Sequence, residues 1–174
     1  MAREEAAPSV PATDPMERLV QELLDAAQVR AGRAIRLTPR RMDLVPLLEE
    51  VRDSFMSEAS LRMQSLDLRV RGWFGAIHAD RGRIRQVLAH LVDNAIKFTP
   101  RGGAIAISAV QAGGEVRCSV SDSGIGMPSA VARAAAGLGL KLARAIVAAH
   151  GGRLWVDSRS GAGSTVFFTL PFAN

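Results

Sequence analysis

The sequence predicts an α+β fold, a two-layer α/β sandwich in which about three helices lie on one face of a mixed, mostly antiparallel sheet. Three observations carry that expectation. Short segments alternate apolar and polar residues, giving one face for a core and one for water; Leu66, Leu68 and Val70 against Asp67, Arg69 and Arg71 is the clearest. Two longer segments, Ala104 to Val110 and Glu115 to Asp122, flank Ala112-Gly113-Gly114, a hairpin junction that makes them antiparallel neighbours. Between strands lie stretches whose apolar residues recur at helical spacing, so each buries one stripe.

Taken in order, Met1 to Asp14 is rich in Ala, Pro and charge without periodicity, and residues 1–14 are expected to be a flexible lead. From Pro15 to Arg30, Met16, Val20, Leu23 and Ala27 form a 4-3-4 seam on a helix that Gly32 stops, which marks 15–33 as a helical unit. That seam suits a partner helix, allowing a homodimer through 16–30, or the domain's own flank. Residues 34–174 form the main domain. Ile35 to Arg41 reads as a short strand, and Asp43 caps a helix carrying Leu44, Leu47, Leu48, Val51 and Phe55 on one face, with Pro46 in its first turn. Ala76 to Ala79 is a short extended piece leading to Asp80, an N-cap residue. Beyond the hairpin come a helix from Leu138 to Ala149 and strands from Arg153 to Ser158 and Thr165 to Leu170.

Composition bounds the function. With 174 residues and 48% hydrophobic content the chain has enough apolar surface for one ordinary core. No apolar run reaches the roughly 20 residues of a membrane span, and a single cysteine, Cys118, excludes an internal disulfide and a multi-cysteine metal cluster. Both fit a cytoplasmic setting, including the cytoplasmic part of a larger, membrane-anchored sensor. Cys118 alternates with Val116 and Val120 and is expected in the core. A net charge of +5 admits an anionic ligand, but the arginines are scattered and aromatic content is 5%, so no nucleic-acid surface is indicated.

The chemistry concentrates in QVLAHLVDNAIKFTP, Gln86 to Pro100. Val87, Leu88, Leu91, Ala95 and Phe98 form its apolar stripe, while His90, Asn94 and Lys97 fall in a band of roughly 60° along the rim of that stripe. A Mg²⁺ ion takes only one or two protein oxygens plus substrate phosphates, which Asn94 and a nearby Lys97 suit. Both residues equally fit the solvated face of an ordinary helix. Downstream, period two puts Asp122 on the inward face with Val116, Cys118 and Val120, where a carboxylate requires a donor. Ser123-Gly124-Ile125-Gly126 follows as a turn permitting close backbone approach.

QVLAHLVDNAIKFTP resembles the N box of the sensor histidine kinase ATP-binding domain, of the superfamily shared with gyrase-type ATPases and chaperones. DSGIGM, from Asp122, resembles its G1 box. Gly137-Leu138-Gly139-Leu140 resembles the G2 box, and Gly161-Ala162-Gly163-Ser164-Thr165 the last glycine motif. The resemblance implies the Bergerat ATP-binding fold, with ATP and Mg²⁺ as cofactors. It implies catalytic roles for Asn94 and Lys97, Asn94 as metal ligand, and nucleotide contacts from His90, Asp122, Gly124, Gly126, Gly137, Gly139 and Thr165. Asp122 would accept the adenine amino group. Residues 15–33 resemble the end of the second helix of a dimerisation domain, so a histidine-containing dimerisation domain and a response regulator are the implied partners.

Departures from the pattern shape the expectation. The family usually has asparagine where His90 stands, and the glutamate base of gyrase-type ATPases is absent, so efficient ATP hydrolysis is not expected. Only Met127 to Ala136 separate G1 from G2, too short for the usual lid. His78, His90 and His150 are followed by Ala, Leu and Gly, whereas the family's phosphoacceptor histidine precedes an acidic residue. Three functions follow: a catalytic domain transferring the γ-phosphoryl of Mg-ATP to a histidine elsewhere, a docking module regulating a partner kinase without transfer, or an anti-sigma-type serine kinase.

Overall fold

The computed structural model describes residues 24, 25, 27, 29–72, 75–126 and 138–173. In chain order its elements are β1 (Arg40–Met42), α1 (Val45–Leu61), β2 (Ser65–Arg71), β3 (Ile77–Ala79), α2 (Arg81–Phe98), β4 (Ala104–Ala112), β5 (Glu115–Asp122), α3 (Leu138–Ala149), β6 (Leu154–Ser158) and β7 (Ser164–Pro171). A five-stranded sheet runs in the order β2-β4-β5-β7-β6, and β1 and β3 form a separate antiparallel pair. Among the described residues only the β2–β4 contact is parallel. This is the mixed, mostly antiparallel sheet covered by α1, α2 and α3 that the alternation and helical stripes predict.

Register shows how alternation builds the core. Ile107 pairs with Val120 and Ala109 with Cys118; Cys118 in turn pairs with Phe168, and Phe168 with Leu154. All six are buried on the helix-facing side. Cys118 is packing material, and burial pushes its thiol up to about 12. On the other face Trp155 stacks on Phe167 with ring centroids 5.2 Å apart.

Helix α2 lies between α1 and α3 and touches both. Its buried residues are Ile84, Val87, Leu88, Leu91, Val92, Ala95 and Ile96, and the stripe continues onto buried Thr99. Phe98, expected on that stripe, is 57% exposed. The pairs 87–88, 91–92 and 95–96 centre the buried face, and residue 98 has rotated off it.

Two other expectations change. Residues 33–39 are not strand, because the ladder partner of this segment is the three-residue β3, which reaches only Arg40 to Met42. Thr38 instead donates its N–H and hydroxyl to Asp80 Oδ2, at 2.9 and 3.1 Å. The leading helix is described only at residues 24, 25, 27, 29 and 30, leaving Met16, Val20 and Leu23 outside the described residues. Ala27 faces solvent; the residues turned to the domain are Val29, packed on the core, and buried Asp25, paired with Arg83 of α2. Among the described residues no helix is long and apolar enough to cross a membrane.

Of the two expected caps, one shifts and one appears. Leu44, whose carbonyl accepts from Leu47 and Leu48 N–H, is the N-cap residue of α1 in place of Asp43 and makes no side-chain capping bond. Asp43 stands one residue ahead and its Oδ1 accepts from Val45 N–H at 3.0 Å, with Pro46 in the first turn. Asp80 Oδ1 accepts from Arg83 N–H at 3.1 Å as N-cap of α2, and the Asp80 N–H donates to His150 Nε2 at 3.0 Å. His150 Nδ1 lies 2.8 Å from the Ile146 carbonyl, so it carries the proton and donates there. Burial acts to raise the Asp80 carboxyl, but hydrogen bonds from Thr38 and Arg83 outweigh it and hold the group below its ordinary value.

The Asp80 bonds therefore stabilise the fold above the ordinary carboxylate range, and that contribution disappears as pH falls through the lowered value. Asp80→Ala should cost about 1–2 kcal/mol at neutral pH from the lost cap. Urea melts should show the difference shrinking in acid; a deficit independent of pH would assign it to packing instead.

Candidate nucleotide site

The site grows from the end of β5. Asp122 ends the inward-facing series, and its Oδ1 accepts the backbone N–H of Gly124 at 2.8 Å and of Ser164 at 3.3 Å. Burial raises its carboxyl above the ordinary value, which these two amides only partly offset. Both donors fall on one oxygen. Among the described residues Oδ2 receives no hydrogen bond, leaving an acceptor for an outside N–H.

The loop after Asp122 is wedged between two backbones. Ile125 N–H donates to the Phe98 carbonyl at 3.3 Å, and Gly161 N–H to the Ile125 carbonyl at 2.7 Å. A Cβ on Gly124 would collide with Phe98 O and Asp122 Oδ1, and one on Gly126, at φ +62°, with the Arg159 carbonyl. The close approach expected here with a ligand is thus first an approach to protein backbone.

From Phe98 the site continues back along α2. Phe98, Asn94 and His90 are spaced four residues apart on one side, a line of roughly 12 Å. Asn94 is half-buried, with no side-chain hydrogen bond among the described residues. The imidazole of His90 packs where a Cβ of Gly139 would stand, so the absence of a side chain at Gly139 admits the ring between α2 and the start of α3. The line runs from Asp122 at one end to the first turn of α3 at the other. A helix N-terminus favours anions, so the α3 end suits phosphate and the Asp122 end a base.

Lys97 and Thr165 are arranged differently from the expectation. Lys97 Nζ is engaged by Asp93 at 2.6 Å on an exposed part of α2. Thr165 pairs with Ser121 and Asp157, whereas Ser164 pairs with Asp122, so period two puts Thr165 on the opposite sheet face. Ser164 stands beside the carboxylate, its Oγ 2.8 Å from that of buried Ser158. The inward series Ser164, Val166, Phe168, Leu170 carried this signal in the sequence. Gly137 and the link from Met127 to Ala136 lie outside the described residues.

Known proteins share the sequence pattern and the fold. Residues 79–174 match the family described as histidine kinase-, DNA gyrase B-, and HSP90-like ATPase. The solved catalytic domain of histidine kinase ThkA is 30% identical with a TM-score of 0.72, over 78% of this chain and 97% of that one.

This chain belongs to that ATPase family.

Within it, this is an ATP-binding catalytic domain of the histidine kinase type. The adaptive-response sensory kinase SasA of Synechococcus elongatus is 37% identical over 172 residues, covering 90% of this chain and 44% of the relative. Full-length ShkA, solved in complex with AMPPNP, is 32% identical with a TM-score of 0.79, over 90% of this chain and 36% of that one. ThkA solved in complex with response regulator protein TrrA is 26% identical with a TM-score of 0.75, over 95% of this chain and 53% of that one. The chain thus spans less than half the length of SasA.

The raised Asp122 carboxyl fixes a sign for the histidine kinase domain. A group whose folded-state value is raised makes the fold relatively more stable when protonated, and that advantage is lost as pH rises through the raised value. Asn at this position keeps an oxygen for both amides and carries no charge. Asp122→Asn without nucleotide should be at least as stable as the parent at pH 7, with its advantage shrinking towards acid. Thermal melts across that range test it; a variant much less stable at neutral pH would mean that the charge itself holds the loop.

Proposed function

We propose that this domain binds Mg-ATP along the Asp122–Phe98–Asn94–His90 line and transfers the γ-phosphoryl to a histidine on a separate dimerisation domain. The observation that carries the reading is Asp122 Oδ2, which receives no hydrogen bond among the described residues, at one end of that line and the start of α3 at the other. Asp122 accepts the adenine amino group, with Ser164 beside it. Polyphosphate lies towards Asn94, His90 and Gly139.

Magnesium fits this donor set in one way only. No group of three or more His, Cys, Asp or Glu able to hold a metal occurs among the described residues. Asn94 would supply one oxygen and the nucleotide phosphates others, a donor set that Mg²⁺ commonly accepts. When bound, the ion neutralises charge on the phosphates. Lys97 contributes by exchanging Asp93 for a phosphate oxygen, and competition from Asp93 lowers its gain.

The acceptor histidine comes from elsewhere. His150 is committed on both ring nitrogens, to Asp80 N–H and to the Ile146 carbonyl, and no histidine precedes an acidic residue. A histidine-bearing dimerisation domain and a response regulator are the proposed partners; the ThkA complex with its regulator supports the second. The short link between Gly126 and Gly137 favours a second reading, a nucleotide-binding docking module without transfer. Phosphoryl transfer depends on positioning and charge stabilisation around the γ-phosphate, which so short a link provides poorly.

Two measurements test these readings. Isothermal calorimetry should show Asn94→Ala weakening ATP binding strongly with Mg²⁺ and little with chelator, while Asp122→Asn loses about 1–3 kcal/mol for ADP and ATP alike. An Asn94 effect indifferent to metal removes that ligand. Incubated with γ-labelled ATP, the chain should leave itself unlabelled and label an added dimerisation domain. Binding without any transfer selects the docking module.

A further inference from the structure

Strand β2 stands at one edge of the five-stranded sheet, and among the described residues no strand pairs with its outer side. Such an edge presents unpaired N–H and C=O groups that can pair with another chain. Beside it lies a groove of about 470 Å³, lined by Arg52, Asp53 and Met56 of α1 and by Leu66, Asp67, Leu68 and Arg69 of β2. Met56 in that lining and Val70 further along β2 are exposed apolar residues. The edge is therefore open and partly apolar.

Edge charges of a single sign would repel a second copy. Those of β2 instead change sign about a centre: Leu68 is flanked by Asp67 and Arg69, and these by Leu66 and Val70. In an antiparallel pair of identical strands centred on Leu68, each Asp67 stands opposite Arg69 of the other copy, and each Leu66 opposite Val70. Opposite charges directly across a ladder stabilise it, and like charges destabilise it. Sliding the register by two residues puts Asp67 against Asp67 or Arg69 against Arg69, and sliding by one sets the apolar residues against the charges. The sequence thus specifies one register. Asp67 and Arg69 currently meet within the strand at 3.4 Å, with side chains 55% and 63% exposed, and both can exchange that long contact for a cross-strand one.

We propose that the outer edge of β2 is a homotypic interface, pairing antiparallel with β2 of a second copy about Leu68 so that the sheet continues through both. The interface is two-fold, so it closes at a dimer. It is separate from the nucleotide line and from the leading helix.

Sedimentation velocity of the full chain over a dilution series tests it, with Asp67→Arg and Arg69→Asp as variants. Both positions are exposed, and circular dichroism melts confirm folding. The parent should dimerise. Each variant alone faces like charges with itself and should dimerise about tenfold more weakly, or less. An equal mixture of the two should recover the association, because each reversed charge then meets its opposite. A parent monomeric up to its solubility limit, variants that dimerise as well as the parent, or a mixture no better than its components would each overturn the proposal. A dimer held by the leading helix gives the second of these results.

Discussion

The arrangement of the site depends on one backbone acceptor, the carbonyl oxygen of Phe98 at the end of α2. The last carbonyls of a helix have no partner within it. Here the loop after β5 supplies one, since Ile125 N–H donates to Phe98 O, and Gly124 leaves the space that this approach needs. That bond ties the sheet layer to the helix layer at the point where Asp122 emerges. The far side of the loop is tied in turn, through Gly161 N–H, to the turn between β6 and β7. A carboxylate at a strand end thereby acquires fixed surroundings.

The opposite end of α2 is fixed as firmly. Asp80 caps the helix, accepts from Thr38 and donates to His150, so three separate segments converge on its first turn. Asp25 adds the leading helix through Arg83. A helix anchored at both termini and buried along one stripe presents its remaining side at constant geometry. Preorganisation of that kind is what a site relying on position and electrostatics requires. It also explains how Asn94 sits in the middle of the line with no side-chain hydrogen bond among the described residues: the backbone of α2 holds it in place.

The division of labour on α2 illustrates how far residue spacing reaches. Helical period correctly assigned Val87, Leu88, Leu91 and Ala95 to the core, yet put Phe98 with them. The error is small in angle, but it changes the role of the residue, because an exposed Phe98 lies at the mouth of the site. Lys97 is a similar case. Spacing placed it on the rim with Asn94, and it also placed Asp93 one turn earlier, close enough to form the ion pair. Which neighbour a flexible cation chooses is decided by the field around it.

Periodicity, turn residues and the four short motifs by themselves determined the two-layer sandwich, most element positions, the inward Asp122 and the order of the nucleotide-binding boxes. Those properties are local, because a pattern of period two or 3.6 states which side of an element is apolar. The pairing of distant segments was decided only by tertiary structure. Strand register selected Ser164 over Thr165 as the neighbour of Asp122, the shortness of β3 limited β1 to three residues, and the α2–α3 crossing matched His90 to Gly139. Sequence spacing fixes directions within one element. Contacts between elements depend on how separate backbones dock, a long-range outcome set by the whole core.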